Sequence, residues 1–288
     1  MMMTRVSWKE KLAHFSELVV LKHSVFALPF IFIAMLVAAK GWFGWKLLML
    51  GVLAAVSARN FAMGVNRYLD RDIDRLNPRT KSRPSVDGRV SASQMMWFIA
   101  LNALVFILTA FFINTLAFAL SMPILIVLGA YTFFKRFSAA AHLVLGISLG
   151  LAPIAGVVAV LGDVTLWSIY LAFGVTLWVA GFDLLYSLQD IEFDKAHGLH
   201  SVPSRFGAQN TMYIAGMLHV LTVVLWAAFV YEANLGFFAI AAVLFSGGML
   251  AYEHHIVHKD FSKIDKAFFT VNGYLGFVFL FLIIAEVM

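Results

Sequence analysis

Residues 165–194 read TLWSIYLAFGVTLWVAGFDLLYSLQDIEFD. No charge occurs from Thr165 to Phe182, and acids then arrive at Asp183, Asp190, Glu192 and Asp194. An uncharged apolar run of about 18 residues or more is long enough to cross the hydrocarbon core of a bilayer as a helix. Tyr186, Asp190 and Asp194 follow at i, i+4, i+8, so at 3.6 residues per turn they share one helix face. Asp183 stands seven residues, about two turns, before Asp190 and inside the span expected at 165–185. The segment is therefore read as a spanning helix whose end carries a row of carboxylates.

The rest of the chain has the same character. Its 288 residues are 62% hydrophobic and 13% charged, with mean hydropathy +0.88, where a soluble domain carries about 25% charged residues. Nine spans are expected, at roughly 24–39, 47–66, 96–113, 115–134, 141–161, 165–185, 210–231, 235–252 and 268–287. The fold class is all-α, a polytopic membrane protein, and 1–288 is read as one transmembrane domain. With the N-terminus in the cytoplasm, eighteen of the 21 Lys and Arg fall on the cytoplasmic side, Lys40 and Lys46 on the other, and Arg59 inside a span. That split obeys the positive-inside rule. It assigns the net charge of +5 to membrane topology and not to nucleic-acid binding. The absence of cysteine excludes disulfides and thiolate metal sites. The opening MMMTRVSWKEKLAHF lacks the h-region of a cleavable signal and reads as an amphipathic lead-in on the membrane surface. Gly146 and Gly150 form a small-xxx-small pair for close helix packing.

A second acidic row lies at the end of the second span. Asn66, Asp70 and Asp74 repeat the i, i+4, i+8 spacing, and Arg59 precedes Asn66 by seven as Asp183 precedes Asp190. Asp70 to Asp190 and Asp74 to Asp194 are both offsets of 120 residues. Each row precedes a long cytoplasmic loop, which suggests two related halves facing each other. Mg²⁺ is a hard cation that takes one or two carboxylates together with substrate phosphates. Two acidic rows at one membrane face suit two such ions around a diphosphate. The metals neutralise its charge and make it a better leaving group, with Arg67, Arg71, Lys135 and Arg136 as nearby cations. The plainer reading is that acids at helix ends sit in interfacial water beside Arg and Lys. Asp183 and Arg59, inside spans, resist it because intramembrane ionisable residues are costly. A structural ion pair is the rival for Arg59.

At these residues the chain resembles the UbiA superfamily of intramembrane aromatic prenyltransferases. Asn66-xxx-Asp70-xxx-Asp74 is similar to that family's first Asp-rich motif, and Asp183-xx-Tyr186-xxx-Asp190-xxx-Asp194 to the second. Arg79-Thr80-Lys81-Ser82-Arg83-Pro84 resembles its R-T-x-x-R-P loop, and Tyr131 to Phe137 resembles the Y-x-x-x-K-R segment of 4-hydroxybenzoate polyprenyltransferases. The resemblance implies a nine-helix bundle around a central cavity that opens to lipid. It implies Mg²⁺-assisted loss of diphosphate from a polyprenyl diphosphate, and attack of the allylic cation on an aromatic acid, ortho to its hydroxyl. Asp70, Asp74, Asp190 and Asp194 then carry the metals and Asn66 contacts the diphosphate. Arg67, Lys135 and Arg136 bind the diphosphate or the acceptor's carboxylate, and Asp183 positions the acceptor or stabilises the cation. Arg59 and Tyr186, on the same stripes, join the substrate-binding set. The setting implied is a bacterial inner membrane with the site on the cytoplasmic face.

The chain departs from the family at Gly198-Leu199-His200-Ser201, where G-x-K-S is common, so a phosphate-binding lysine is replaced by a histidine. The segment Leu21 to Phe30 resembles a branch of which some members serve menaquinone synthesis, so a dihydroxynaphthoate stands beside 4-hydroxybenzoate as acceptor. Outside this chemistry, a transporter is disfavoured because the paired polar residues cluster at one face, not at the midplane. A phosphatidyltransferase is disfavoured by the absence of D-G-x-x-A-R. His254, His255 and His258 have metal-like spacing but are read as a solvated loop, and Trp8, Trp42, Trp45 and Trp97 as interfacial anchors.

Overall fold

The structure, a computed structural model, describes residues 7–19 and 27–288. Most of the Leu21–Phe30 segment and part of the lead-in lie outside the described residues. Among those described, eight helices are long and apolar enough to cross a membrane, and Leu28–Ala39 is a shorter apolar helix. These match the nine expected spans closely, in an all-helical chain with no strand among the described residues.

The lead-in is helical as α1 (Trp8–Val19). Leu18 anchors it to the bundle by burial against Val90 and Met95, and Phe15 stacks on Phe98 at 4.9 Å between centroids. The spanning elements are α2 (Ala27–Ala39), α3 (Trp45–Leu69), then a short α4 (Arg71–Leu76), α5 (Ala92–Ile113), α6 (Thr115–Phe134) and α7 (Ala141–Leu161). They continue as α8 (Leu166–Ser187), a short α9 (Ile191–Ala196), α10 (Val202–Glu232), α11 (Phe237–Lys259), the single turn α12 (Ile264–Lys266) and α13 (Asn272–Val287). The seventh expected span begins just after Gly207, which kinks α10 with φ 80°. Only glycine adopts that conformation without strain.

α11 runs beyond the expected 252 to Lys259, so His254, His255 and His258 lie in a helix and not in a loop. The apolar run ends where it was read to end. Helical geometry continues because Glu253 turns inward and accepts from Asn272 Nδ2 at 2.9 Å, while His254 Nε2 lies 2.9 Å from His219 Nδ1. Among the described residues no group of three such side chains is placed to hold a metal.

Among the spanning helices, α8 is the most deeply buried. Phe30, Trp178, Trp226 and Phe279 pack ring against ring at its back, with centroids 5.1–6.0 Å apart. The Trp178 indole N–H is satisfied by Asn272 Oδ1 at 2.7 Å. Away from the core, Trp97, Leu101, Leu104, Leu108, Phe111 and Phe112 of α5 are exposed. This is the apolar surface that a lipid-facing helix presents. Trp42 and Trp45 are exposed at the α2–α3 turn, as interfacial anchors are.

The small-xxx-small pair performs its expected work on α8. A Cβ on Gly146 would collide with the Thr176 carbonyl oxygen, and one on Gly150 with the Thr176 hydroxyl. The two backbones approach as closely as they do because neither position has a side chain. Gly146→Ala is expected to destabilise the bundle by about 1–3 kcal/mol through overpacking. This would be read as a lowered apparent melting temperature in detergent, whereas Gly248→Ala, where an added methyl meets open space, leaves the melting temperature in place.

Candidate active site

Both acidic rows sit at a break in their helix, which their shared helix face did not disclose. α3 ends at Leu69, Asp70 adopts φ −87° and ψ 4°, and α4 begins at Arg71. α8 ends at Ser187, a tight turn covers Leu188–Asp190, and α9 begins at Ile191. Asp side chains compete with the helical backbone and favour such junctions. The first row stays aligned because the i→i−4 bonds persist through the joint: Asp70 N–H donates to Asn66 O at 2.9 Å and Asp74 N–H to Asp70 O at 2.7 Å.

Three of the four row carboxylates, Asp70, Asp74 and Asp190, meet a base. Asp70 Oδ2 accepts from Lys135 Nζ at 2.5 Å and from Asn66 Nδ2 at 2.9 Å. Burial pushes the Asp70 carboxyl above the usual carboxylate range, against the opposing pull of Lys135. Its other oxygen, Oδ1, is buried without a hydrogen-bond partner. Both oxygens of Asp74 accept from Arg83, at 2.7 and 2.8 Å. Arg79 donates to Asp190 at 2.6 and 3.3 Å and, through its other terminal nitrogen, to the Tyr186 hydroxyl at 3.0 Å. Asn77 adds a bond to Asp190 at 3.4 Å. The loop that leaves the first acidic row thus reaches across to the second. Asp74 and Asp190 are tied to the same six-residue motif and open on one mouth.

The second loop closes the other side. His200 N–H donates to the Lys135 carbonyl at 3.0 Å. Asp194, His200, Ser201 and Arg205 line a cavity of about 430 Å³. Arg205 stands in the cavity where His200 replaces the expected lysine. Other cations are turned elsewhere. Arg67 is buried and donates to Leu18 O and Asn66 Oδ1, both at 3.2 Å. Arg136 grips Asp72 at 2.8 and 3.0 Å and the Leu69 carbonyl at 2.7 Å, holding the Asp72 carboxyl below the usual range. Arg59 lies deeper in α3, half-buried near Tyr131. Asp183, about one turn inside the end of α8, has its Oδ2 2.7 Å from His142 Nδ1. The sequence reading passed over His142, although a histidine in the first turn of an apolar span carries the same signal as Asp183.

The residues fit Mg²⁺ by the chemistry of the donor set. They offer hard oxygens, with one carboxylate oxygen of Asp70 lacking any partner. No ready-made cage exists among the described residues, as befits a cation that takes one or two carboxylates and completes its shell from phosphate and water.

An all-helical membrane bundle with two matched acidic helix ends joined by one basic loop defines the class. Residues 27–283 match the model of the UbiA prenyltransferase family, and the chain belongs to that family. It is 28% identical over 249 residues to the 4-hydroxybenzoate octaprenyltransferase of Vibrio vulnificus, covering 85% of this chain and 86% of that one. The apo structure of a UbiA homologue from Aeropyrum pernix superposes with TM-score 0.83 at 31% identity, covering 91% of this chain and 97% of that chain. A UbiA homologue from Archaeoglobus fulgidus bound to GPP and Mg²⁺ shares the fold with TM-score 0.75 at 20% identity, covering 94% of this chain and 99% of that chain.

Because Arg79 pins its loop to α8, Arg79→Gln is expected to free it. Limited trypsin digestion in detergent should then cut faster after Lys81 and Arg83 than in the wild type. An unchanged cleavage rate would mean that the bridge to Asp190 does not hold the loop.

Proposed function

We propose that the chain transfers a polyprenyl group from a polyprenyl diphosphate to an aromatic hydroxy acid, with 4-hydroxybenzoate as the acceptor, as one membrane domain whose active site faces the cytoplasm of a bacterial inner membrane. The observation that carries this reading is the Arg79–Arg83 loop, which ties Asp74 of one acidic row and Asp190 and Tyr186 of the other to a single mouth. The 4-hydroxybenzoate octaprenyltransferase relatives support the acceptor. The positive-inside distribution supports the orientation.

In this reading Asp70, Asp74, Asp190 and Asp194 would hold Mg²⁺, which neutralises the diphosphate and improves it as a leaving group when bound. The chain's own groups do the rest. Asn66 donates to the diphosphate. Lys135, Arg79 and Arg83, each paired with a carboxylate in this structure, are placed to exchange that partner for a phosphate oxygen. Arg67 holds Asn66 in orientation through its 3.2 Å bond, and Arg136 stiffens the joint at Asp70 from the Leu69 carbonyl and Asp72. Arg59 and Tyr186 line the path between the charged head and the apolar tail. The tail lies among the helices, where burying it costs little.

Purified protein in detergent, given a prenyl diphosphate, 4-hydroxybenzoate and Mg²⁺, should form the prenylated acid. EDTA should abolish turnover. Asp70→Asn and Asp190→Asn should each lower kcat by roughly 100-fold or more. Full activity in either variant would remove the metal role.

A further inference from the structure

Asp183 differs from the other aspartates in depth and in partner. It lies inside α8, four residues before that helix ends at Ser187, whereas Asp190 lies in the turn beyond the end. Its partner is a histidine, where Asp70, Asp74 and Asp190 take a lysine or an arginine. The contact from His142 Nδ1 to Asp183 Oδ2 is 2.7 Å, and the side chains are 10% and 22% exposed.

The chemistry of the imidazole follows from its two nitrogens. A carboxylate accepts, so Nδ1 carries the proton and donates it to Asp183. Nε2 is buried and has no hydrogen-bond partner. A buried polar atom left bare is uncommon and calls for a reason. With Nε2 bare, the hydrogen bond that His142 makes is the one to Asp183. The Nδ1–H bond satisfies one oxygen of that carboxylate and leaves the other, Oδ1, for a ligand. It also fixes the carboxylate's orientation. The result is a base oriented by a third group, as in other catalytic pairs. Asp183 is the more exposed member of the pair, 22% against 10% for His142.

We propose that Asp183 is the catalytic base that takes the proton lost by the acceptor ring, and that His142 is the positioning residue that keeps it aimed. This rests on the transfer reaction proposed above. In that reaction a ring carbon forms a bond to C1 of the prenyl group, and the C1–O bond breaks with its electron pair going to the diphosphate. The same ring carbon then holds both the prenyl group and a hydrogen. Its C–H bond breaks, the electron pair restores the aromatic ring, and the proton passes to Asp183 Oδ1, while Oδ2 keeps the His142 N–H. Depth fits the role: the diphosphate head is held at Asp190, and the ring, beyond C1, lies further in.

The test compares Asp183→Asn, His142→Leu and His142→Asn with the wild type, using 4-hydroxybenzoate with hydrogen or deuterium at the ring positions ortho to the hydroxyl. Titration calorimetry with prenyl diphosphate and Mg²⁺ reports that each variant is folded. Asp183→Asn should lower kcat by about 100-fold, the usual scale for loss of a general base, with a small change in KM for the acceptor. His142→Leu should lower kcat in the same direction and expose a primary deuterium isotope effect that the wild type lacks, because proton loss has become slow. His142→Asn, whose amide N–H can still donate to Asp183, should recover much of the rate. A rise in acceptor KM alone, or a slow His142→Leu with no isotope effect, would overturn the proposal and leave Asp183 a positioning group. A wild type that releases diphosphate but prenylates no aromatic acid would overturn the acceptor reading and this inference with it.

Discussion

A carboxylate at the end of an apolar helix stands at the edge of a medium that does not solvate it, and the mouth of this bundle is organised around that constraint. Asp70 meets Lys135, Asp74 meets Arg83, Asp190 meets Arg79 and Asp183 meets His142. Three of the four pairs join elements far apart in the chain: α3 to the end of α6, the first loop to α8, and α7 to α8. Such pairs add little net stability, since desolvation offsets much of the attraction. Their effect is on arrangement, because withdrawing either partner leaves a poorly solvated charge behind. The ends of α3, α6, α7 and α8 are therefore held in mutual register without a ligand.

The same constraint makes the site responsive to an anion. Lys135 and Arg79 are 30% and 37% exposed at the side chain, while Asp70 is nearly sealed at 2%. The bases are thus the accessible members of these pairs. In the proposed reaction a diphosphate arriving with its cations offers each base a new oxygen and each acid a new counter-charge. Paired charges can exchange partners at modest cost, whereas bare ones would have to be desolvated first.

The spans, the acidic stripes and the Gly146–Gly150 contact were legible because each is a local repeat: a run of apolar residues, a period of four, a pair of missing side chains. The breaks at Asp70 and at Leu188–Asp190 were not. Alignment of side chains at i, i+4 and i+8 survives a joint in which the i→i−4 bonds continue, so periodicity does not reveal one. The extension of α11 through His254 was hidden for a different reason. It depends on Asn272 and His219, partners on other helices, and no local pattern announces them. His142 was visible in principle as a histidine at the start of an apolar span. What the sequence lacked was the 41-residue contact to Asp183 that gives it meaning.

The two halves keep the same offset at their breaks but use their loops differently. The first loop supplies Arg79 and Arg83 to acids of both rows, whereas the second docks through the His200 backbone on the Lys135 carbonyl and brings Arg205 to the cavity beside Asp194. Substituting histidine for lysine at 200 therefore leaves that loop's docking intact, because the bond is made by the main chain. The deeper pair of matched positions diverges most. Arg59 precedes Asn66 by seven in the first half as Asp183 precedes Asp190 in the second, so the matched positions carry a cation and an anion. That difference suits a reaction in which charge leaves at the head and a proton leaves at the ring, and in the proposed chemistry the first event belongs to Asp190, beyond the end of α8, and the second to Asp183, inside it.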